Sequence, residues 1–174
     1  MKRLFTDPKF ALLWTIIRIW LGVQWLEAGL SKMGNPAWTG DKAGTAVTGF
    51  LSNAVKLAGG EHPAVQSWYA SFLQNFALPN AKIFSYLVSF GEVAVGIGLI
   101  LGCLTTFALI GGALLNLNFM LSGATSTNPI LYTAALILLV AGINASRIGL
   151  DYFIFKKKIK KQTGFSVNKI SMLK

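Results

Sequence analysis

The hydrophobic positions of this chain fall into four segments of about 20 residues each, the length that a helix needs to cross a bilayer. The segments are 10–33, 82–102, 103–122 and 129–150. Only the short stretch "LGCLTT" marks the boundary between the second and the third, so these two are expected to be antiparallel neighbours. The pattern predicts an all-α fold, an integral membrane four-helix bundle.

The long connection between the first two segments, residues 34–81, has helical spacing of its own. The stretches "GTAVTGFLSNAVKLAG" and "PAVQSWYASFLQNFALP" each alternate apolar and polar residues and are bounded by Gly and Pro. We therefore predict two short amphipathic helices in an extracytoplasmic loop, lying across the outer mouth of the bundle at the membrane interface.

Composition agrees with a membrane protein, since 53% of the 174 residues are hydrophobic and only 13% are charged. The net charge of +10 comes largely from the C-terminus, where the last 24 residues hold seven of the sixteen Lys and Arg residues. Such a tail favours anionic lipid head groups over nucleic acid, and no nucleic-acid partner is predicted. We divide the chain into a membrane domain, 1–155, and a basic cytoplasmic tail, 156–174.

The charges of the connections set the predicted orientation. Lys2, Arg3 and Lys9 precede the first segment and the lysine cluster follows the last one, whereas residues 34–81 contain two lysines and two acidic residues. Positive charge is concentrated on the cytoplasmic side of membrane proteins. Both termini are therefore predicted to be cytoplasmic, in a multi-pass protein of the plasma membrane.

The chain has one cysteine, Cys103, and one histidine, His62. A single cysteine excludes an internal disulfide, and a single histidine excludes haem ligation by two histidines of this chain. We predict no haem and no metal site. If the protein handles electrons, its own side chains supply no redox couple.

Polar residues inside the apolar segments are the candidates for a functional site. At 100° per residue, Arg18, Trp25 and Lys32 share one face of the first segment. The helical rise places Arg18, Glu92 and Asn144 at similar depths. An unpaired charge at the bilayer centre costs at least about 2.5–3.5 kcal/mol, so Arg18 and Glu92 are expected to face each other or a wet cavity.

The remaining polar residues of the apolar segments are predicted to lie at other depths or to have structural roles. Asn116 belongs to a second layer nearer the outside. Lys32 is interpreted as an interface anchor whose ammonium group extends to the membrane edge. Arg147 and Asp151, four residues apart, are predicted to form a local ion pair. A purely structural clamp between Arg18 and the second segment stays open as an alternative to a functional site.

Several stretches occur together in a characteristic order: "RIWLGVQWLEAGLSKMGNPAW", the amphipathic loop, "FGEVAVGIGLILGCLTT", "NLNFMLSG" and "GINASRIGLD". With these stretches the chain resembles the DoxX/DoxD family of small four-span membrane proteins. The resemblance implies that Arg18, Trp25, the Ala28-Gly29 pair and Lys32 form a family signature. DoxD is the quinone-linked membrane subunit of a thiosulfate:quinone oxidoreductase, so the resemblance also implies binding or reduction of a membrane quinone.

The first functional hypothesis is therefore a DoxX-like subunit of a redox system, with electrons from a small sulfur compound or a partner protein. The candidate catalytic residues are Arg18, to stabilise negative charge on the quinone oxygen, and Glu92, to relay a proton. The candidate cofactor-binding residues are Trp25, to stack on the ring, and Asn116 and Asn144, to donate hydrogen bonds.

Whether the chain is an enzyme at all stays open at this point. One alternative is a non-catalytic membrane anchor that recruits a soluble enzyme through the outer helices or the lysine tail. A small-solute transporter is another, although four spans without a repeat make alternating access hard to build unless the protein dimerises. The partners that these hypotheses allow are membrane lipids, a soluble or membrane redox protein and a second copy of the chain.

Overall fold

The computed structural model describes residues 2–154, and the regular elements in that range are all helical. They include ten α-helices: α1 Lys2–Thr6, α2 Ala11–Met33, α3 Pro36–Thr39, α4 Thr45–Lys56, α5 Ser67–Phe72, α6 Ala81–Leu101, α7 Thr105–Leu121, α8 Asn128–Ala141, α9 Ile143–Ser146 and α10 Leu150–Ile154. A 3₁₀ helix, Pro8–Phe10, precedes α2, and a π-helix, Leu73–Ala77, follows α5. The all-α prediction is confirmed for this range, and the predicted basic tail lies outside it.

Within residues 2–154, two helical runs are long and apolar enough to cross a membrane, Pro8–Met33 and Ala81–Leu101. The helices α7 and α8 are also apolar but shorter, with 17 and 14 residues. Large apolar side chains project outward from these helices, such as Phe107 at 72% exposure and Val140 at 69%. Extensive apolar surface of this kind is typical of helices that face lipid.

The longest helices, α2 and α6, pack against each other in antiparallel orientation through glycine. A methyl group on Gly96 would lie 2.6 Å from the backbone nitrogen of Leu26, and one on Gly29 would lie 2.7 Å from that of Val93. Small residues allow helix backbones to approach this closely. The remaining long helices complete the packing, since α7 contacts both α6 and α8, and α8 contacts α2.

Two apolar clusters stabilise this arrangement. The first lies between the four long helices and includes an apolar layer formed by Leu21, Leu99, Leu109 and Leu138, each at most 2% exposed. The second lies beneath α4 and α5 and packs against α6 and α7 through Phe84 and Leu121. The segment between α2 and α6 is therefore folded onto one end of the long helices.

That segment contains the two stretches with amphipathic spacing as α4 and as α5 with its π-helix. It also contains α3, which the pattern did not predict. The side chain of Asn35 caps α3 by accepting the backbone N–H of Ala37 at 2.9 Å, and Pro36 occupies the first turn.

The prediction of one continuous helical segment over 129–150 is wrong. Helix α8 ends at Ala141 because Gly142 adopts φ +53° and ψ −117°, a conformation that residues with a Cβ rarely adopt. The chain then continues as the short helices α9 and α10.

Asp151 joins α10 to the start of α7. Its carboxylate accepts the backbone N–H groups of Leu104 at 2.7 Å and Thr105 at 2.8 Å, and its own N–H donates to the carbonyl of Gly102 at 2.8 Å. The first N–H groups of a helix have no partner within the helix, so a carboxylate there is stabilising. The spacing predicted an ion pair with Arg147, but the carboxylate caps α7 instead.

Replacing Asp151 by Ala is expected to lower the free energy of unfolding by about 1–2 kcal/mol, because two buried N–H groups lose a charged acceptor. Thermal unfolding in detergent micelles, followed by circular dichroism, measures the change. The matched control is Asp41→Ala in an exposed turn, which should change stability by less than about 0.5 kcal/mol. Equal effects of the two substitutions would contradict the capping role.

Candidate functional site

A buried ion pair joins α2 to α6. The ammonium nitrogen of Lys32 lies 2.6 Å from Oε2 of Glu92 and donates a hydrogen bond to it. The side chain of Glu92 is 1% exposed and that of Lys32 is 20% exposed. A carboxylate that is buried to this extent is stable only with a partner, which Lys32 supplies.

The close approach of α2 and α6 positions this pair. A methyl group on Gly29 would lie 3.1 Å from Cβ of Glu92, so the helices are nearly in contact at this level. Residues three apart on a helix share a face. Lys32 therefore lies on the same face as Gly29, one turn further along α2, and reaches Glu92.

Two aromatic rings surround the ammonium group of Lys32. Its nitrogen lies 5.2 Å from the ring centroid of Trp38 and 5.9 Å from that of Phe119. Ring faces attract cations at such distances. The charge of Lys32 is thus held between a carboxylate and two rings.

Trp38 and Phe119 are also walls of a cavity of about 130 Å³, which we call the aromatic cavity. It lies between the loop helices and the ends of α6 and α7 that they cover. Six of its lining residues are aromatic: Trp38, Phe50, Tyr69, Phe72, Phe84 and Phe119. An engineered apolar cavity of about 150 Å³ binds benzene, so a cavity of this size holds one six-membered ring.

Polar groups line one side of the aromatic cavity. The hydroxyl of Tyr69 donates to Asn118, whose side-chain oxygen lies at 3.0 Å and backbone oxygen at 3.2 Å. The hydroxyl of Ser122 donates to the same backbone oxygen at 2.8 Å. Burial raises the pKa of Tyr69, so its phenol stays protonated and remains a hydrogen-bond donor.

Two further polar side chains are buried near Glu92. Trp25 Nε1 and both amide atoms of Asn116 have no hydrogen-bond partner within the described part of the chain. A methyl group on Gly112 would lie 3.0 Å from Trp25 Nε1 and 3.2 Å from Val95. Asn116 lies about one turn beyond Gly112, and Glu92 about one turn from Val95, so these groups form one polar layer.

Arg18 lies about 21 Å from Lys32 along the axis of α2. Its Nη2 donates to the backbone oxygen of Ile148 at 2.7 Å, and Asp151 supplies an opposite charge nearby. The guanidinium group is packed closely, since a methyl group on Gly149 would lie 2.7 Å from Nη1. Arg18 therefore ties α2 to the segment before α10.

A family model described as DoxX matches residues 13–123, more than half of the 174-residue chain. The chain belongs to the DoxX family. The comparisons with curated proteins and with solved structures found no match. The matched range includes Lys32, Glu92 and the aromatic cavity. Together with the two long apolar helices, the family identifies this DoxX protein as a membrane protein.

The predicted site residues of this DoxX protein separate into two groups. Trp25, Glu92 and Asn116 lie in the polar layer with Lys32, whereas Arg18 and Asn144 lie beyond the apolar layer of leucines. Of the two arrangements expected for Arg18 and Glu92, the contact with each other is wrong, because each group is bonded to a different partner. Whether any of these residues binds a ligand stays a prediction.

Asn144 has a local role in the DoxX protein. Its side-chain nitrogen donates to the backbone oxygens of Phe5 at 2.7 Å and Asp7 at 3.1 Å. The side chain thus fixes the N-terminal segment against α9. Asn144 does not line the aromatic cavity.

The pairing of Lys32 with Glu92 was not predicted from the sequence of this DoxX protein. The interpretation of Lys32 as an interface anchor is wrong, because the ammonium group turns inward to Glu92. The sequence contained an indication of this inward position. Lys32 follows Gly29 by three positions, and both belong to the stretch that carried the family resemblance. Trp38 and Tyr69 gave no comparable signal, because their positions in the cavity depend on how the loop folds back.

Proposed function

We propose that this protein is a four-span membrane protein of a redox system that binds the ring of a membrane quinone in the aromatic cavity. The supporting observation is that two walls of the cavity, Trp38 and Phe119, also contact the ammonium group of the buried Lys32–Glu92 pair. A ring bound in the cavity would lie beside an ammonium group and a carboxylate, two groups that can serve charge and proton transfer to a quinone.

The residues present fit such a ring. Aromatic walls can stack on it, and the hydroxyl of Tyr69 can rotate to donate to a ring oxygen. A bound quinone supplies a two-electron, two-proton acceptor, with electrons from a small sulfur compound or a partner protein. Lys32 favours negative charge developing in the cavity, and Glu92 holds Lys32 in place and can exchange a proton.

The topology that goes with this proposal uses α2, α6, α7 and α8 as the four spans of a bundle. Both termini then lie on the cytoplasmic side of the plasma membrane, and α3, α4 and α5 cover the outer end. In this topology the aromatic cavity would lie near the outer surface. The leucines of the apolar layer fill the middle of the bundle, which does not favour the transport alternative.

Filling the aromatic cavity tests the proposal. Ala77 lines the cavity and is 2% exposed, so Ala77→Leu places extra carbon atoms inside it. The probe is 2,3-dimethoxy-5-methyl-1,4-benzoquinone, a quinone ring without a tail, and native mass spectrometry counts the molecules bound to each protein. We expect the wild-type protein to bind one molecule and the variant to bind about tenfold more weakly, a loss of about 1.4 kcal/mol.

The matched control is Ala94→Leu, the same substitution at an exposed position of α6. It should bind the probe as the wild-type protein does. The proposal fails if the wild-type protein binds no probe, or if Ala77→Leu retains wild-type affinity while circular dichroism shows an intact fold.

A further inference from the structure

The aromatic cavity is closed by buried side chains over most of its wall. On the side of α4 these are Val47, at 4% exposure, and Leu51, at 7%; on the side of α5 and the π-helix they are Tyr69, at 4%, and Leu73, at 1%. The outer face of α4 carries exposed polar residues such as Thr48 and Asn53, and this face is suited to water. None of the α4 residues that line the cavity is exposed.

Three lining residues are exposed, and each comes from a different helix. They are Phe72 of α5, at 39% exposure, Leu87 of α6, at 57%, and Asn118 of α7. These three residues form the exposed part of the cavity lining, which we call the window. The lining is thus exposed to the outside on the side of α5, α6 and α7.

Large apolar side chains are exposed beside the window. Phe76 of the neighbouring π-helix is 55% exposed, Ile83 and Phe90 of α6 are 64% and 51% exposed, and Leu114 of α7 is 54% exposed. The polar rim residue, Asn118, is already satisfied, because its amide nitrogen donates to the backbone oxygen of Leu114 and its amide oxygen accepts from Tyr69. A satisfied amide can face hydrocarbon at low cost. The window is therefore suited to lipid rather than to water.

From this geometry we propose that the ligand enters the aromatic cavity sideways from the bilayer and that its apolar tail occupies the window while its ring lies inside. The substrate class is a ring compound with a long isoprenoid or alkyl tail, and Leu87 and Phe72 are its specificity-determining residues. The inference rests on the proposed ring site, and it adds a selection for the tail that the ring site alone does not provide.

The test compares two probes that share one ring. One is decylubiquinone, which has a ten-carbon tail, and the other is 2,3-dimethoxy-5-methyl-1,4-benzoquinone, which has none. The variant Leu87→Trp places an indole in the window, and Ile97→Trp is its control, exposed on the same helix but away from the cavity. The full chain is titrated with each probe, and native mass spectrometry counts the bound molecules.

We expect Leu87→Trp to weaken equilibrium binding of decylubiquinone by at least about tenfold and to leave equilibrium binding of the tail-less ring near the wild-type level, because in the bound state only the tail lies in the window. Retained binding of the tail-less ring shows that the variant is folded. Ile97→Trp should bind both probes as the wild-type protein does.

Two outcomes overturn the inference while the ring site stands. The first is unchanged binding of decylubiquinone by Leu87→Trp, which would mean that the tail does not pass the window. The second is an equal loss of both probes, which would make Leu87 part of the ring site. Absence of both probes from the wild-type protein would instead refute the proposed function, and this inference with it.

Discussion

Replacing Lys32 by Met is expected to lower the free energy of unfolding by about 3–5 kcal/mol, because the carboxylate of Glu92 is then buried without its partner. Removing the other partner, by Glu92→Leu, should lower the free energy of unfolding by less. Lys32 is 20% exposed whereas Glu92 is 1% exposed, so an unpaired lysine can extend its ammonium group outward. Chemical unfolding in detergent micelles, followed by circular dichroism, measures both variants.

The double variant Lys32→Met with Glu92→Leu separates stability from function. An apolar pair of similar volume often replaces a buried ion pair at no loss of stability, so the double variant should unfold at nearly the wild-type free energy. It should nevertheless bind the tail-less quinone more weakly, since the charge beside Trp38 and Phe119 is gone.

Lys56→Met is the control for the first substitution, because Lys56 is exposed at the end of α4. It should change stability by less than about 0.5 kcal/mol. If the double variant bound the quinone as tightly as the wild-type protein, the ion pair would be an interhelical clamp alone. If Lys32→Met unfolded like Lys56→Met, the pair would contribute nothing to the fold.

Hydropathy and helical spacing were sufficient to predict an all-helical membrane protein. The predicted segments 10–33 and 82–102 lie close to α2, Ala11–Met33, and α6, Ala81–Leu101, because a long apolar run has few alternatives to a helix. The end of α8 was missed because a single glycine decides it. Gly142 looks the same in the sequence whether it lies within a helix or ends one.

The partners of the buried charges could not be predicted from depth alone. Arg18 and Glu92 were placed at similar depths, but the close packing of α2 on α6 brings Glu92 level with Gly29 instead. The register between two helices depends on which glycines meet, and the periodicity of one helix does not contain that information. Lys32 was therefore available to Glu92, while Arg18 bonds to Ile148.

The aromatic cavity could not be predicted from the sequence, because it depends on how the loop helices pack on α6 and α7. The apolar faces of α4 and α5 indicated that these helices cover something, and their packing on α6 and α7 was not specified. Tyr69 meets Asn118 across 49 residues of chain, a contact that only the folded loop creates. The candidate site thus combines a polar layer that was partly predicted with a cavity that was not.

The glycine contacts between α2 and α6 are also expected to have a large effect on the stability of the protein. Gly96→Ala is expected to lower the free energy of unfolding by about 2–3 kcal/mol, because the added methyl group would lie 2.6 Å from the backbone nitrogen of Leu26 and 2.8 Å from its Cα. Backbone atoms cannot rotate away, so α2 and α6 must move apart. The same chemical and thermal unfolding measurements apply.

Gly91→Ala makes the same change on the same helix, but it is expected to stabilise the protein. The nearest atom to its added methyl group is a side-chain carbon of Leu115 at 3.8 Å, an ordinary contact. Alanine is favoured over glycine within a helix, so this variant should gain up to about 0.5–1 kcal/mol. A shared loss of stability in both variants would show that glycine matters here for a reason other than the approach of α2.

The separation of α2 from α6 has a consequence for the site. Lys32 reaches Glu92 only because Gly29, about one turn from Leu26 in the same interface, allows the helices to approach closely. Gly96→Ala should therefore weaken binding of the tail-less quinone as well as the fold, although Gly96 does not line the aromatic cavity. Wild-type affinity in a destabilised Gly96→Ala protein would mean that the cavity does not depend on the ion pair, and the role proposed for Lys32 would have to be abandoned.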